Sequence, residues 1–292
     1  MDKKNIALVL EGGGAKCAYQ AGALVALEEF GFTFNVVSGA SFGAINGALY
    51  VEGGTKRLMD FYHNLNSDFV FKDKGLKELI DSYNKDEHYL LEDVLKYLAS
   101  RHALLEERVE ETEYYHSHLF KNINVKAIKE SSMDYYCSVL RVNNNPTTIA
   151  KLMGAFSGKI SLLDLYKNGE IDGHIISKED EPLDRYIVAS ANYPTYTPIR
   201  VNDSYYFDGG IFDNVPYKHL LYKGINTMVI IRTNIDNLKE FDYQNPNILV
   251  ITPSKYLGSS LRINHDKIEE LLKFGYIDTK QKLEERFLEK HD

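Results

Sequence analysis

Three layers, α/β/α, built on a mostly parallel central sheet and carrying a helical insertion, make up the architecture expected of this chain. Ile6 to Leu10 is a continuous apolar run closed by glycines, the pattern of a strand buried on both faces. Strand, tight turn and helix follow one another twice in the first fifty residues, which is the making of a βαβ unit. A length of 292 residues, 44% of them hydrophobic, suffices for one large α/β core.

In chain order, Ala15 to Phe30 reads as the first helix, with Gly31 placed to cap it. Asn35 to Ser38 is a second short strand and Phe42 to Val51 a second helix. Both glycine-rich turns should open onto a crevice at the carboxyl ends of the strands. From about 55 to 133 the composition shifts to Lys, Glu, Asp, Tyr and His with helical spacing, a helical insertion or cover within a single domain spanning 1–292. Tyr135 to Asn143 and Thr147 to Lys151 read as strands of a hairpin that turns at Asn143 to Pro146. Leu183 to Ala191 is a helix, Tyr205 to Phe207 a strand, and Thr227 to Arg232 and Ile248 to Thr252 are further apolar strands. A charged amphipathic helix, from Lys255 onward, ends the chain.

Composition excludes several functions. A net charge of −8 leaves no basic stripe for nucleic acid. Cys17 and Cys137 are the two cysteines, better read as free thiols of a reducing compartment than as a disulfide, and no metal set can be built from them. Ile6 to Leu10 is too short for a signal-peptide core, and no window reaches the roughly 18 apolar residues of a spanning helix. A soluble, cytoplasmic protein is expected.

Three motifs carry chemistry. In "GASFG", Gly39 to Gly43, Ser41 is framed by glycines between a strand and a helix. That is the setting of a nucleophile elbow, and equally of an ordinary N-cap serine. In "LEGGGAKCAYQAG", Gly12 to Gly14 allow backbone N–H groups to converge on an anion, a phosphate or a developing oxyanion. The third is "YYFDGGIFDNVP", where Asp208 ends a strand and two glycines let the chain turn away; taken alone, Asp-Gly is a common turn. Together they supply the nucleophile, base and oxyanion stabiliser that acyl transfer requires.

On these residues the sequence resembles the patatin-like phospholipases, Ser–Asp lipid acyl hydrolases marked by G-G-G-x-[KR]-G, G-x-S-x-G and D-G-[GA] in that order. The counterparts here are Gly12 to Cys17, Gly39 to Gly43 and Asp208 to Gly210, and Ala189 to Ile199 also looks like the family's stretch before its aspartate. The resemblance implies that Ser41 attacks an ester carbonyl, that Asp208 takes its proton without a histidine, and that the Gly12, Gly13 and Gly14 turn, with the N–H of Phe42, binds the oxyanion. It implies a lipid ester substrate, phospholipid or lysophospholipid, with peripheral membrane contact allowed, and neither cofactor nor metal. Lys16 fits the family's basic position, where it either assists a substrate phosphate or lies on the surface. Cys17 replaces the family's last glycine. Either the position is already helical and tolerates a side chain, or the turn is altered, or Cys17 is a reactive thiol.

Two other readings compete. A Ser-Asp-His esterase would place its histidine after Asp208, and His219, His265 and His291 are eligible. A phosphoanion- or nucleotide-binding protein would use the Gly12 to Gly14 turn and leave Ser41 and Asp208 unexplained. Glu113 and His116 have E-x-x-H spacing without a second copy, so a solvated helix face is expected there, as for the charge run Glu106 to Glu113.

Overall fold

The computed structural model describes residues 6–82, 105–156, 160–193, 196–235 and 247–287. Strand β1 (Ile6–Leu10) leads through a 3-10 turn (Gly14–Cys17) into α1 (Ala18–Glu29), and β2 (Phe34–Gly39) into α2 (Phe42–His63). Four more helices follow among the described residues: α3 (Ser67–Val70), α4 (Lys74–Asp81), α5 (Leu105–Asn122) and α6 (Val125–Glu130). Then come β3 (Asp134–Val142), α7 (Pro146–Phe156), α8 (Leu162–Lys167), β4 (Ile171–Ser177), α9 (Leu183–Ser190), β5 (Ile199–Val201) and β6 (Ser204–Asp208). The described chain ends with α10 (Lys218–Tyr222), β7 (Met228–Ile231), β8 (Ile248–Ile251) and α11 (His265–Phe287).

The strands form one sheet in the order β5-β6-β3-β2-β1-β7-β8, with β4 paired to β3 off that path. β3, β2, β1, β7 and β8 run parallel to their neighbours, whereas β4 and β6 are antiparallel to β3 and β5 to β6. Successive side chains of a strand point to opposite faces. Ile6, Leu8 and Leu10 of β1 accordingly join a core packed by α1, α2, α9 and α11, while Ala7 and Val9 join a smaller one that includes Leu220 of α10. A third cluster, with Leu152 of α7 and Leu165 of α8, covers the far end of β3. The expected layered α/β architecture with a mostly parallel sheet is what the chain adopts.

Register explains how residues remote in sequence meet. Along β3, β4 pairs with Tyr136 to Val142 and therefore occupies one whole edge. β2 pairs with Asp134 to Cys137 and β6 with Val139 to Val142, so both must share the other edge, end to end. They run in opposite directions. Gly39 at the end of β2 lies opposite Cys137, and Asp208 at the end of β6 opposite Val139. Two strand termini, one leading to Ser41 and one carrying Asp208, thus face each other across the single residue Ser138.

Some expectations need correcting. Thr147 to Lys151 is helical, within α7: Pro146 opens the helix where its missing N–H costs nothing, and the Asn145 side chain accepts from Thr147 N–H at 2.9 Å. The antiparallel partner of β3 is β4, reached through α7 and α8. The last helix begins at His265, where Asn264 accepts from Lys267 N–H at 2.9 Å, and not at Lys255. The intervening loop instead reaches the glycine turn, through Ala15 N–H to the Ser260 carbonyl at 2.8 Å. In the charge run, Glu111 is buried and accepts from the Lys72 N–H at 3.0 Å. Residues 83–104 of the expected insertion and His291 lie outside the described residues. No helix among the described residues is long and apolar enough to cross a membrane.

Candidate active site

Ser41 occupies the turn between β2 and α2 with φ 53° and ψ −134°, a left-handed conformation for a residue with a side chain. Such a backbone costs about 1–3 kcal/mol and persists where its surroundings over-determine it. Here they do. A Cβ on Gly43 would come within 2.6 Å of the Leu10 and Glu11 carbonyl oxygens, so helix α2 starts hard against the end of β1. Although Ser41 stands at the N-cap position, its hydroxyl makes no capping bond. It donates to Asp208 Oδ2 at 2.7 Å, and its N–H donates to Ser190 Oγ at 3.0 Å.

Asp208 is buried at the end of β6, 5% exposed. Its Oδ1 accepts from Gly210 N–H at 2.8 Å, and its own N–H donates to the Asn192 carbonyl at 3.1 Å. Burial pushes the carboxyl up to about 7 from its ordinary 3.8, the bonds from Ser41 and Gly210 offsetting only part of that. Among the described residues no lysine or arginine pairs with it, and no histidine touches it or Ser41. His219 Nε2 lies 2.9 Å from Ser38 Oγ, while that hydroxyl donates to the Pro216 carbonyl at 2.8 Å. His265 opens α11.

The glycine turn is held by a buried carboxylate. Glu11 accepts from Thr233 N–H at 2.6 Å and Asn234 N–H at 3.2 Å, and pairs with Arg232 Nη2 at 3.1 Å, the two side chains 3% and 5% exposed. The next carbonyl, of Gly12, accepts from Thr233 Oγ1 at 2.7 Å. A trans peptide sends its N–H opposite to its C=O, so the N–H of Gly13 is aimed away from Thr233. Gly12 N–H itself donates to the Asn214 carbonyl at 3.1 Å. Gly14, at φ 56°, follows in the left-handed region.

Cys17 has a helical backbone, φ −65° and ψ −11°, and is fully buried with Sγ 3.6 Å from the Glu11 carbonyl. A side chain is accommodated there, and burial pushes its thiol well above the ordinary range, away from thiolate reactivity. Lys16 donates its Nζ to Asn234 Oδ1, beside the loop that Glu11 holds. On the face expected to be solvated Glu113 is exposed, whereas His116 is half-buried with Nε2 2.8 Å from Asn192 Oδ1. Ser190, Asn192, Glu11 and Arg232 were not singled out from sequence. The first two fall in the stretch Ala189 to Ile199, and the other two each end a buried strand, where a charge calls for a partner.

A family model described as patatin-like phospholipase matches residues 8–221. Lysophospholipase nte1 of Aspergillus terreus is 49% identical over 47 residues, 16% of this chain and 3% of that protein. Lysophospholipase NTE1 of Phaeosphaeria nodorum is 25% identical over 238 residues, 81% of this chain. The chain spans 12% of the length of that relative. Among solved structures, VipD from Legionella pneumophila has a similar fold, with TM-score 0.53 at 16% identity over 96% of this chain and 67% of that one.

Proposed function

The chain belongs to the patatin-like phospholipase family, and from that premise we propose that it hydrolyses carboxylic esters of lipids, phospholipid or lysophospholipid acyl chains, through Ser41 and Asp208. The observation that carries this reading is the 2.7 Å bond from Ser41 Oγ to a carboxylate with no cationic partner among the described residues, at the end of a strained elbow. Ser41 Oγ attacks the ester carbonyl carbon while its proton passes to Asp208 Oδ2. The N–H groups of Gly13 and Gly14, joined by that of Phe42 at the start of α2, receive the charge that develops on the carbonyl oxygen. One such donor is worth about 2.7–4 kcal/mol of transition-state stabilisation. Collapse expels the alcohol, which takes back the proton from Asp208. Water, deprotonated by the same carboxylate, then attacks the serine ester, and Asp208 returns that proton to Ser41 Oγ as the acid leaves.

A phosphoanion site at the glycine turn would account for Gly12 to Gly14 but not for the Ser41–Asp208 bond. Lys16, held near the turn by Asn234, is in place to meet a substrate phosphate, and peripheral contact with a lipid surface belongs to the same reading. So does cytoplasmic residence, supported by Cys17 and Cys137, both buried and unpaired. We treat residues 1–292 as one hydrolase unit with the helices of 55–133 as its cover. A panel of acyl esters assayed with wild type and Ser41→Ala tests the proposal: turnover abolished by the substitution, with folding retained, is expected, and equal turnover in both proteins would refute it.

A further inference from the structure

The end of α9 and the residues just after it touch both Ser41 and Asp208. Ser190 Oγ accepts the Ser41 N–H at 3.0 Å, and the Asn192 carbonyl accepts the Asp208 N–H at 3.1 Å. One face of α5 holds the residues after α9. Thr112, Tyr115 and His116, at i, i+3 and i+4, share that face. Thr112 Oγ1 accepts from Thr197 N–H at 2.9 Å, Tyr115 Oη donates to the Ala191 carbonyl at 3.1 Å, and His116 meets Asn192 Oδ1 at 2.8 Å. The Tyr115 ring also stacks on Tyr196, centroids 4.8 Å apart and planes 17° from parallel.

The proton in the histidine contact can be assigned. Asn192 is fully buried and its Nδ2 donates to the Thr197 carbonyl at 2.9 Å, so its oxygen faces His116 and Nε2 must carry the hydrogen. Burial lowers the pKa of His116, keeping the ring neutral and in that donor form. Asn192 is thereby fixed at both ends of its amide while its backbone carbonyl holds Asp208. Two hydrogen bonds in series thus join α5 to Asp208.

We propose that His116 and Tyr115 are positioning residues for the Ser41–Asp208 pair, acting through Asn192 and its neighbours, so that the helical cover sets the turnover rate. The inference rests on the hydrolase reading. Steady-state hydrolysis of 4-nitrophenyl butyrate by wild type, Ser41→Ala, His116→Leu, His116→Gln and Tyr115→Phe tests it, with thermal melting of each protein. Misplacing a reacting group by about 1 Å costs on the order of a hundredfold, so kcat of His116→Leu should fall about tenfold to a hundredfold with KM within about twofold. His116→Gln, whose amide restores a donor, should recover most of the loss. A folded His116→Leu protein with wild-type kcat, or a Gln variant no better than Leu, overturns the inference. Should the Leu variant fail to fold, Tyr115→Phe decides: a lower kcat at unchanged KM supports the coupling, and unchanged kcat overturns it. A wild type without Ser41-dependent turnover sinks the hydrolase reading itself, an outcome distinct from Ser41-dependent turnover indifferent to α5.

Discussion

Two carboxylates lie buried at the ends of strands, and their surroundings differ in kind. Glu11, at the end of β1, is met by the Arg232 guanidinium and by two backbone N–H groups of the loop after β7. Asp208, at the end of β6, receives one backbone N–H and one hydroxyl and no cation among the described residues. A carboxylate paired with a guanidinium and with the loop after β7 serves to hold the glycine turn. One left uncompensated in a desolvated site is driven up to about 7, which suits the base role proposed for it. Depth of burial is nearly the same for both; the partner decides the role.

Asparagine at 208 should have the largest effect. Asp208→Asn cannot accept the serine proton, so kcat should fall by about 10²–10⁴-fold, the usual worth of a general base. At Glu11 the same kind of change should read out in stability first. Arg232→Met strands a buried anion and should cost about 3–5 kcal/mol, measured by denaturant unfolding. Were Arg232→Met harmless to the fold, the contrast between the two carboxylates would be lost.

A pH series sharpens the comparison further. In the proposed mechanism the ionised form of Asp208 is the base, so kcat/KM should rise with pH through a midpoint near 7, well above the ordinary carboxylate value of 3.8. Its effect on stability has the opposite sign. Folded Asp208 binds its proton more tightly than unfolded Asp208, so its contribution favours the fold fully below about pH 4 and is lost as pH rises through about 7. Asp208→Asn should therefore melt higher than wild type at pH 8 and alongside it at pH 4. The smallest change is expected at Cys17. Cys17→Gly puts a flexible residue into a helical first turn and empties a buried position, costing about 1–2 kcal/mol with little change in kcat.

Much of this site was legible in the sequence because its parts are local. Ile6 to Leu10 and Asn35 to Ser38 are runs that only a buried strand explains, and the glycines that close them mark turns. Ser41, Asp208 and the glycine turn stand out by their motifs, but no local pattern shows where the Ser41 hydroxyl points, which is to Asp208. β4 escaped notice because Gly173 interrupts its pattern; the Phe212 ring fills the space where a Cβ would stand. α7 was misread because Thr147 to Ile149 are β-branched, while Asn145 and Pro146 fix a helix start that outweighs that preference. The support of the dyad was not legible at all. Bonds such as His116 to Asn192 join residues 76 apart, and no local pattern encodes which face of a helix meets which loop.

Covalent labelling tests the central claim most directly. A fluorophosphonate probe, followed by intact-mass and peptide mapping, should give a single adduct on Ser41, forming about 10²-fold or more slowly in Asp208→Asn. An adduct on another residue, or a labelling rate indifferent to Asp208, would contradict it.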